Sequence, residues 1–354
     1  MKRPTIADVA RRAGVTKAAV SFALNGQPGV SAATRERILA IADEVGFKPS
    51  SAARALSDGR SGAVGLIIDR PARTLGVEPY FMQLISGIQA ELSAHHVTLL
   101  FTMAEDQAAE IELYRTWWAQ RKVDGVVLVD LQVRDRRVPV LRELSVPAVA
   151  VGHPRGAGGL PAVWQDDRAA TTMVVGHLAG LGHRAIARVG GYPRYWHSKL
   201  RTDAFARVAE AAGLNAVSVA ADYTAEHGIE ATLALLDGPE PPTAILYDND
   251  VMAVAALGAV QRAGLTVPGD LSIVAWGDSV LCELVHPAVT ALRWDTVEAG
   301  VRAARLLSLA IEGAEVADFQ EGPPQLVVRE SAGHPRVPRS PHRARGLRGP
   351  QTPG

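Results

Sequence analysis

TIADVARRAGVTKAAVSFALN, residues 5–25, spaces its apolar residues at helical intervals twice, once on each side of a glycine. Thr5 can cap a first helix, Asp8 lies in the first turn where the helix dipole favours an acid, and Ile6, Val9, Ala10 and Ala13 form one inward stripe. Gly14 suits the left-handed residue that ends a helix, and Thr16 can cap a second one. In that second helix Val20, Ala23 and Leu24 turn inward, leaving Lys17, Ala18, Ser21 and Phe22 outward. Helices this short are unstable alone. A third, from Ser31 through Ile38, Ile41, Ala42 and Val45 to Gly46, supplies the missing packing face. The pattern predicts a helix-turn-helix whose second helix can enter a major groove; a purely structural helical hairpin is the other reading of residues 5–25 taken alone.

Residues 47–59 favour the helix-turn-helix. After Gly46 come Phe47-Lys48-Pro49-Ser50, then a short segment, Ser51 to Ser57, with Ala52, Ala53 and Leu56 on one face, and Gly59. This order, ahead of an α/β body, resembles the LacI/GalR family of bacterial transcription regulators, and the resemblance runs from Thr5 to about Ser331. It implies a three-helix headpiece over 1–49 and a hinge helix with linker over 50–62. DNA contacts are then expected from Thr5, Thr16, Lys17, Ala18, Ala19, Ser21, Phe22, Asn25 and Ser31, and from Arg54 and Leu56 in the hinge. It also implies a homodimer on a palindromic operator, with Leu56 wedged into the minor groove at its centre.

The formal net charge of zero over 354 residues conceals a segregation. Residues 1–62 carry ten Lys or Arg against five acids, residues 334–354 add five arginines and no acid, and the body between is by difference about −10. Basic ends suit a phosphate backbone that the body would repel. The lone Cys282 excludes an internal disulfide and a cysteine-rich zinc site. No signal-peptide pattern and no run of about 18 apolar residues occurs, so no membrane association is expected and the location is expected to be cytoplasmic. The stretch 333–354, rich in proline, glycine and arginine, is expected to be a disordered basic tail.

Beyond Gly62 short apolar runs alternate with helical stretches, which predicts parallel βαβ units. The runs are 63–68, 97–101, 125–129, 148–151, 185–189, 216–220, 244–247, 271–276, 290–292 and 326–328. They are too many for one ordinary doubly wound sheet. The resemblance implies a periplasmic-binding-protein-like body over 63–332, made of two doubly wound parallel-sheet subdomains. The first covers about 63–162 and 293–319, the second about 163–292 and 320–332, and an effector cleft lies at the strand ends between them.

No catalytic set and no metal or cofactor site is read from the sequence. The glycine-rich stretch 152–159 lacks the lysine and hydroxyl residue of a phosphate loop, no H-E-x-x-H or G-x-S-x-G occurs, and the ten histidines are scattered. Residues 181–187, LGHRAIA, resemble an architectural segment of the family. SKLRTDAF, 198–205, resembles the segment whose arginine, here Arg201, points into the cleft. Asp248-Asn249-Asp250-Val251-Met252-Ala253 resembles the N-D-x-M-A motif, with Asn249 the ligand candidate and Asp250 a cap. In sugar-binding members an aspartate follows the aromatic of the next strand end; Gly277 occupies that place after Trp276, which opens the site to an anionic or glycosidic ligand beside a simple sugar. Tyr80, Trp196 and Trp276 complete the expected effector site, and Trp164 is either cleft or core. The expected function is a ligand-responsive repressor with a carbohydrate-like effector, no cofactor and no enzymatic activity. A periplasmic-type solute-binding protein is the alternative, and it lacks a headpiece.

Overall fold

The computed structural model describes residues 4–47, 60–71 and 75–336. Three helices, α1 (Ile6–Ala13), α2 (Lys17–Leu24) and α3 (Ala32–Glu44), form the headpiece. Its core is Val9, Ala10, Ala13, Val20, Ala23, Ile38 and Ala42, with Ile6, Leu24, Ile41 and Val45 against it. Thr5 and Asp8 close a capping box on α1, and the Asp8 carboxylate accepts from the Thr5 N–H at 3.0 Å and the Thr5 hydroxyl at 2.6 Å. Gly14 ends α1 at φ 65°. Thr16 and Ser31 accept from the N–H groups of Ala19 and Thr34, which caps α2 and α3. The hinge residues, Arg54 and Leu56 among them, lie outside the described residues.

The body begins with β1 (Ala63–Ile68), α4 (Pro79–Ala94), β2 (Thr98–Met103), α5 (Gln107–Ala119), β3 (Gly125–Leu128), α6 (Arg137–Glu143), β4 (Ala148–Val151), α7 (Pro154–Ala157) and β5 (Ala162–Trp164). It continues with α8 (Asp167–Gly180), β6 (Ala185–Gly190), α9 (Trp196–Ala211), β7 (Asn215–Ala220), α10 (Ala225–Leu236), β8 (Ala244–Tyr247), α11 (Asp250–Arg262), β9 (Ser272–Ala275), α12 (Val280–Leu284) and β10 (Thr290–Arg293). The chain then returns through α13 (Thr296–Ile311), β11 (Phe319–Gln320) and β12 (Gln325–Val327). Two six-stranded sheets result, in the orders β11-β5-β4-β3-β1-β2 and β12-β10-β9-β8-β6-β7. Only the β10–β12 pairing is antiparallel among the described strands.

Each sheet is doubly wound, with a core on both faces. The predicted runs recur as strands, and two more appear. β5 and β11 are three and two residues long and pair with each other in the first sheet. They move the boundaries, because the first subdomain keeps the chain through Trp164 and the second keeps it through Arg293 before α13 crosses back. The fold also extends past the expected start of the tail. His183 Nε2 lies 3.0 Å from the Gly333 carbonyl, His334 Nδ1 lies 2.8 Å from the Leu181 carbonyl, and Arg336 pairs with Asp270 at 3.1 Å. Composition alone concealed these contacts because they are backbone and side-chain bonds rather than apolar burial. Residues 337–354 lie outside the described residues. No helix among the described residues is long and apolar enough to cross a membrane.

Candidate functional site

Two surfaces carry the chemistry, the outward side of α2 and the cleft between the subdomains. On α2, Lys17 and Ala18 are exposed, Ala19, Ser21 and Asn25 are exposed or half-buried, and Phe22 is 39% exposed. The Phe22 ring leans on the turn after α2, where a side chain at Gly29 would begin 3.1 Å from it. Thr5, Thr16 and Ser31 are exposed at helix N-termini, where free N–H groups and the helix dipole favour phosphate. The body end of the linker is anchored: Asp124 accepts from the N–H groups of Ser61 at 2.6 Å and Gly62 at 2.8 Å.

The cleft has an empty volume of about 1230 Å³, including its part open to solvent. Tyr80, Arg201, Asn249 and Trp276 line it as expected, and Trp164 joins them. Trp196 does not. It opens α9 on the seam between the subdomains, its N–H donates to the Leu131 carbonyl at 2.7 Å, and its ring packs against the core of the first subdomain. Gly156 makes the room, since a Cβ there would sit 2.9 Å from Trp196 Cγ. The glycine-rich stretch that resembles a phosphate loop in composition is thus a single helical turn, α7, beneath an indole. His197, one residue on, faces the cleft instead; burial, and after it the charge of Arg201, pushes its pKa down to about 3.

The electrostatics argue against an anionic ligand. Seven carboxylates line the cleft against two arginines, Arg70 and Arg201. Arg201 Nε donates to Asp167 at 2.8 Å, its guanidinium lies 4.1 Å above the Trp276 ring, and Asp248 is 3.9 Å away. It is committed to the protein's own acids. Arg70 binds Asp130 at 2.7 Å beneath the rings of Tyr195 and Tyr223. Other guanidiniums hold further acids: Arg188 on Asp248, Arg293 and Arg329 on Asp278, and Arg302 on Glu321. At Gly277 a Cβ would meet nothing within 4 Å, so the space left by the absent acid is open.

Asn249 and Asp250 exchange their expected emphasis. Asn249 is the cap of α11, accepting from the Met252 N–H at 2.9 Å and donating to the Tyr223 carbonyl at 3.0 Å. Asp250, beside it on the cleft wall, has its pKa raised by burial. Three further residues escaped the sequence reading: Arg70, Glu78 and Trp294. Arg70 lies two residues past the end of β1, the location where α/β sheets present ligand groups, and that signal was available. Glu78 and Trp294 carry no local signature.

Comparison with known proteins agrees with this geometry. Residues 5–50 match the model for bacterial regulatory proteins of the lacI family, and residues 175–332 match the periplasmic binding protein-like domain. Catabolite control protein A of Priestia megaterium is 30% identical over 310 residues, covering 86% of this chain and 91% of its own. The HTH-type transcriptional regulator MalR of Streptomyces coelicolor is 32% identical, covering 92% and 96%. Among solved structures, the lac repressor dimer bound to operator and the anti-inducer ONPF superposes with TM-score 0.81 at 26% identity, covering 94% of this chain and all of that one. The complex of the transcriptional regulator CelR with cellobiose gives 0.71 at 29% identity, covering 93% of this chain and all of that one. With its headpiece, its two-sheet body and relatives of this similarity along nearly its whole length, the chain belongs to the LacI family of DNA-binding transcription regulators.

Proposed function

We propose that the chain is a ligand-responsive repressor that binds a palindromic operator as a homodimer and takes a carbohydrate-like effector between its subdomains. The observation that carries this reading is that one cleft is walled by both subdomains, with Tyr80 and Glu78 facing Asn249, Asp250 and Trp276 across it, while the headpiece is joined to the first subdomain. A ligand bound to both walls favours one relative placement of them, and only such a difference in affinity between states can shift operator binding. Phe101 and Met103 on the edge strand β2, with Val280 and Leu284 on α12, are exposed and supply apolar surface for a second copy. The neighbouring complex with cellobiose supports a saccharide. The alternative, a solute-binding protein, has no use for the exposed face of α2.

The direct test is retardation of promoter DNA by the purified protein, with and without candidate sugars. Release or tightening by a sugar supports the reading, and indifference of DNA binding to every bound ligand removes it. Within the headpiece, Lys17 is the only cation on the exposed face of α2 and carries its polar base readout, since Ala18 can offer only a methyl contact. Lys17→Ala is expected to relax base preference in selected-site sequencing, whereas Arg11→Ala weakens all sites about equally; an unchanged motif for the Lys17 variant refutes the assignment. For the hinge, the proposal assigns Leu56 to the central base step, whose unstacking costs a few kcal/mol and is least costly at CG, CA or TA. Leu56→Ala is expected to lower specific operator affinity at least tenfold while body dimerisation is retained, which gel retardation and sedimentation together check.

A further inference from the structure

Four polar side-chain atoms that face the cleft are fully buried and have no partner among the described residues: Arg70 Nη1, Glu78 Oε2, Trp276 Nε1 and Trp294 Nε1. The Arg70, Glu78 and Trp276 residues are 4%, 6% and 4% exposed. A buried donor or acceptor left unmade costs about 1–3 kcal/mol, so four around one cavity mark a site shaped for a ligand with complementary groups. Three are donors and one is a carboxylate oxygen. The donors need acceptors on the ligand, the carboxylate needs a donor, and the aromatic walls Trp164, Trp276 and Phe81 need an apolar face. Hydroxyl groups on a saturated ring satisfy all of these at once, because each hydroxyl both donates and accepts.

We propose that this cleft selects an uncharged polyhydroxylated ring compound, and that Glu78 is the residue that discriminates it, by accepting from ligand hydroxyls and repelling ligand anions. The inference rests on the regulatory reading for the location of the site, and adds the ligand's charge class and the residue that reads it. Glu78 stands at the N-terminus of α4, one residue before Pro79, and faces the second subdomain. Arg70 and Asp130 from the ends of β1 and β3, and Asp250 from the start of α11, are the charged groups that bear on it, and Asn249 donates to it. Five of the other cleft acids are already ion-paired, so they reinforce the exclusion of anions without offering a free acceptor. Arg201, the residue expected to attract an anion, is cancelled by Asp167 and Asp248.

Burial raises the Glu78 pKa to about 7. Ligand hydroxyls that donate to the carboxylate favour its ionised form, so binding below neutrality requires loss of a proton. Affinity therefore rises with pH between about 6 and 8.

The test uses the full-length protein with cellobiose, maltose and glucose, each beside its anionic counterpart: cellobionate, maltobionate, gluconate and glucose 6-phosphate. Binding is read by calorimetry and tryptophan fluorescence. The expected result is that at least one neutral sugar binds and its anionic partner binds at least twentyfold more weakly. Its affinity increases about tenfold from pH 6 to 8, and Glu78→Gln flattens that dependence and narrows the discrimination. An anion that binds as tightly as its neutral partner overturns the proposal, as does silence of the whole panel. A pH dependence that survives in Glu78→Gln overturns the role of Glu78; should that variant fail to fold, the wild-type panel and pH series still decide. Operator retardation run in parallel separates the two claims: a neutral sugar that binds without altering DNA affinity removes only the regulatory reading, and an anion that binds and alters it removes only this one.

Discussion

Replacing Arg201 with alanine is expected to abolish the response to effector and to lower stability by about 3 kcal/mol, because the side chain joins two carboxylates that are buried without it. Breaking a buried ion pair by removing one partner costs about 3–5 kcal/mol, more than the pair contributes over an apolar replacement, since the remaining charge is stranded. Here Asp167 is 7% and Asp248 4% exposed, and Asp248 keeps Arg188 whereas Asp167 is left with no cation in contact among the described residues. The lower end of that range is therefore the better figure. The deficit also has a sign with pH. The Asp167 pKa is already raised by burial, with Arg201 opposing the rise, and without Arg201 it rises further. A carboxyl whose folded pKa exceeds its unfolded value costs stability as pH rises through that window, so the variant should approach wild type near pH 4 and fall furthest behind above neutrality. Arg201→Ala with Asp167→Asn removes both halves of the pair and should recover most of the stability. It should not recover the ligand response, because the guanidinium over Trp276 is still missing from the cleft wall. Urea denaturation across pH and operator retardation with effector check both parts. A single variant that melts like wild type at pH 8, or a ligand response restored in the double variant, would show that Arg201 does neither job.

The headpiece was legible almost residue by residue because its determinants are local. Thr16 and Ser31 cap the helices they precede, Gly14 takes the left-handed conformation expected of it, and the inward stripe is the observed core. The body's strands were legible as apolar runs of three or more. β5 and β11 escaped because a strand of two or three residues presents no periodicity, and its existence depends on a neighbour more than 150 residues away. The cleft was legible wherever the family pattern names a position, as at Arg201, Asn249 and Trp276. Trp196 failed because adjacent residues on a helix point about 100° apart, and it is His197 that faces the ligand. What Arg201 does there was not legible either, since its partner Asp167 stands 34 residues earlier with no motif between them. Glu78 and Trp294 were invisible for the same reason: their significance is that they hold polar atoms without partners, which only the assembled walls reveal.

Gly87→Ala is expected to destabilise the first subdomain by about 3 kcal/mol or more, although alanine is the better helix former by up to about 1 kcal/mol. Gly87 on α4 and Gly300 on α13 let the two helices touch backbone to backbone. A Cβ at 87 would lie 1.9 Å from the Val297 carbonyl oxygen, and one at 300 would lie 2.3 Å from the Leu84 carbonyl oxygen. Neither obstacle is a side chain that can swing away. The helices must separate, and α13 then lifts Ala299, Ala303, Ala304 and Leu307 from the core they share with β1, β3 and β4. Overpacking of this kind commonly costs about 1–3 kcal/mol where side chains can adjust, and the rigid contact places this site at or above the top of that range. Against a typical stability of about 5–15 kcal/mol the loss is large, and it falls on the subdomain to which the DNA-binding headpiece is tethered through Ser61 and Gly62. The headpiece has its own core and should keep its helices, so operator affinity is expected to fall with the folded fraction of the body while the headpiece's far-ultraviolet signal persists. Gly176→Ala on the exposed side of α8, where a Cβ meets nothing within 4 Å, is the control and should be neutral or slightly stabilising. If Gly87→Ala and Gly176→Ala shift the urea midpoint alike, α4 and α13 stand further apart in solution than this packing requires.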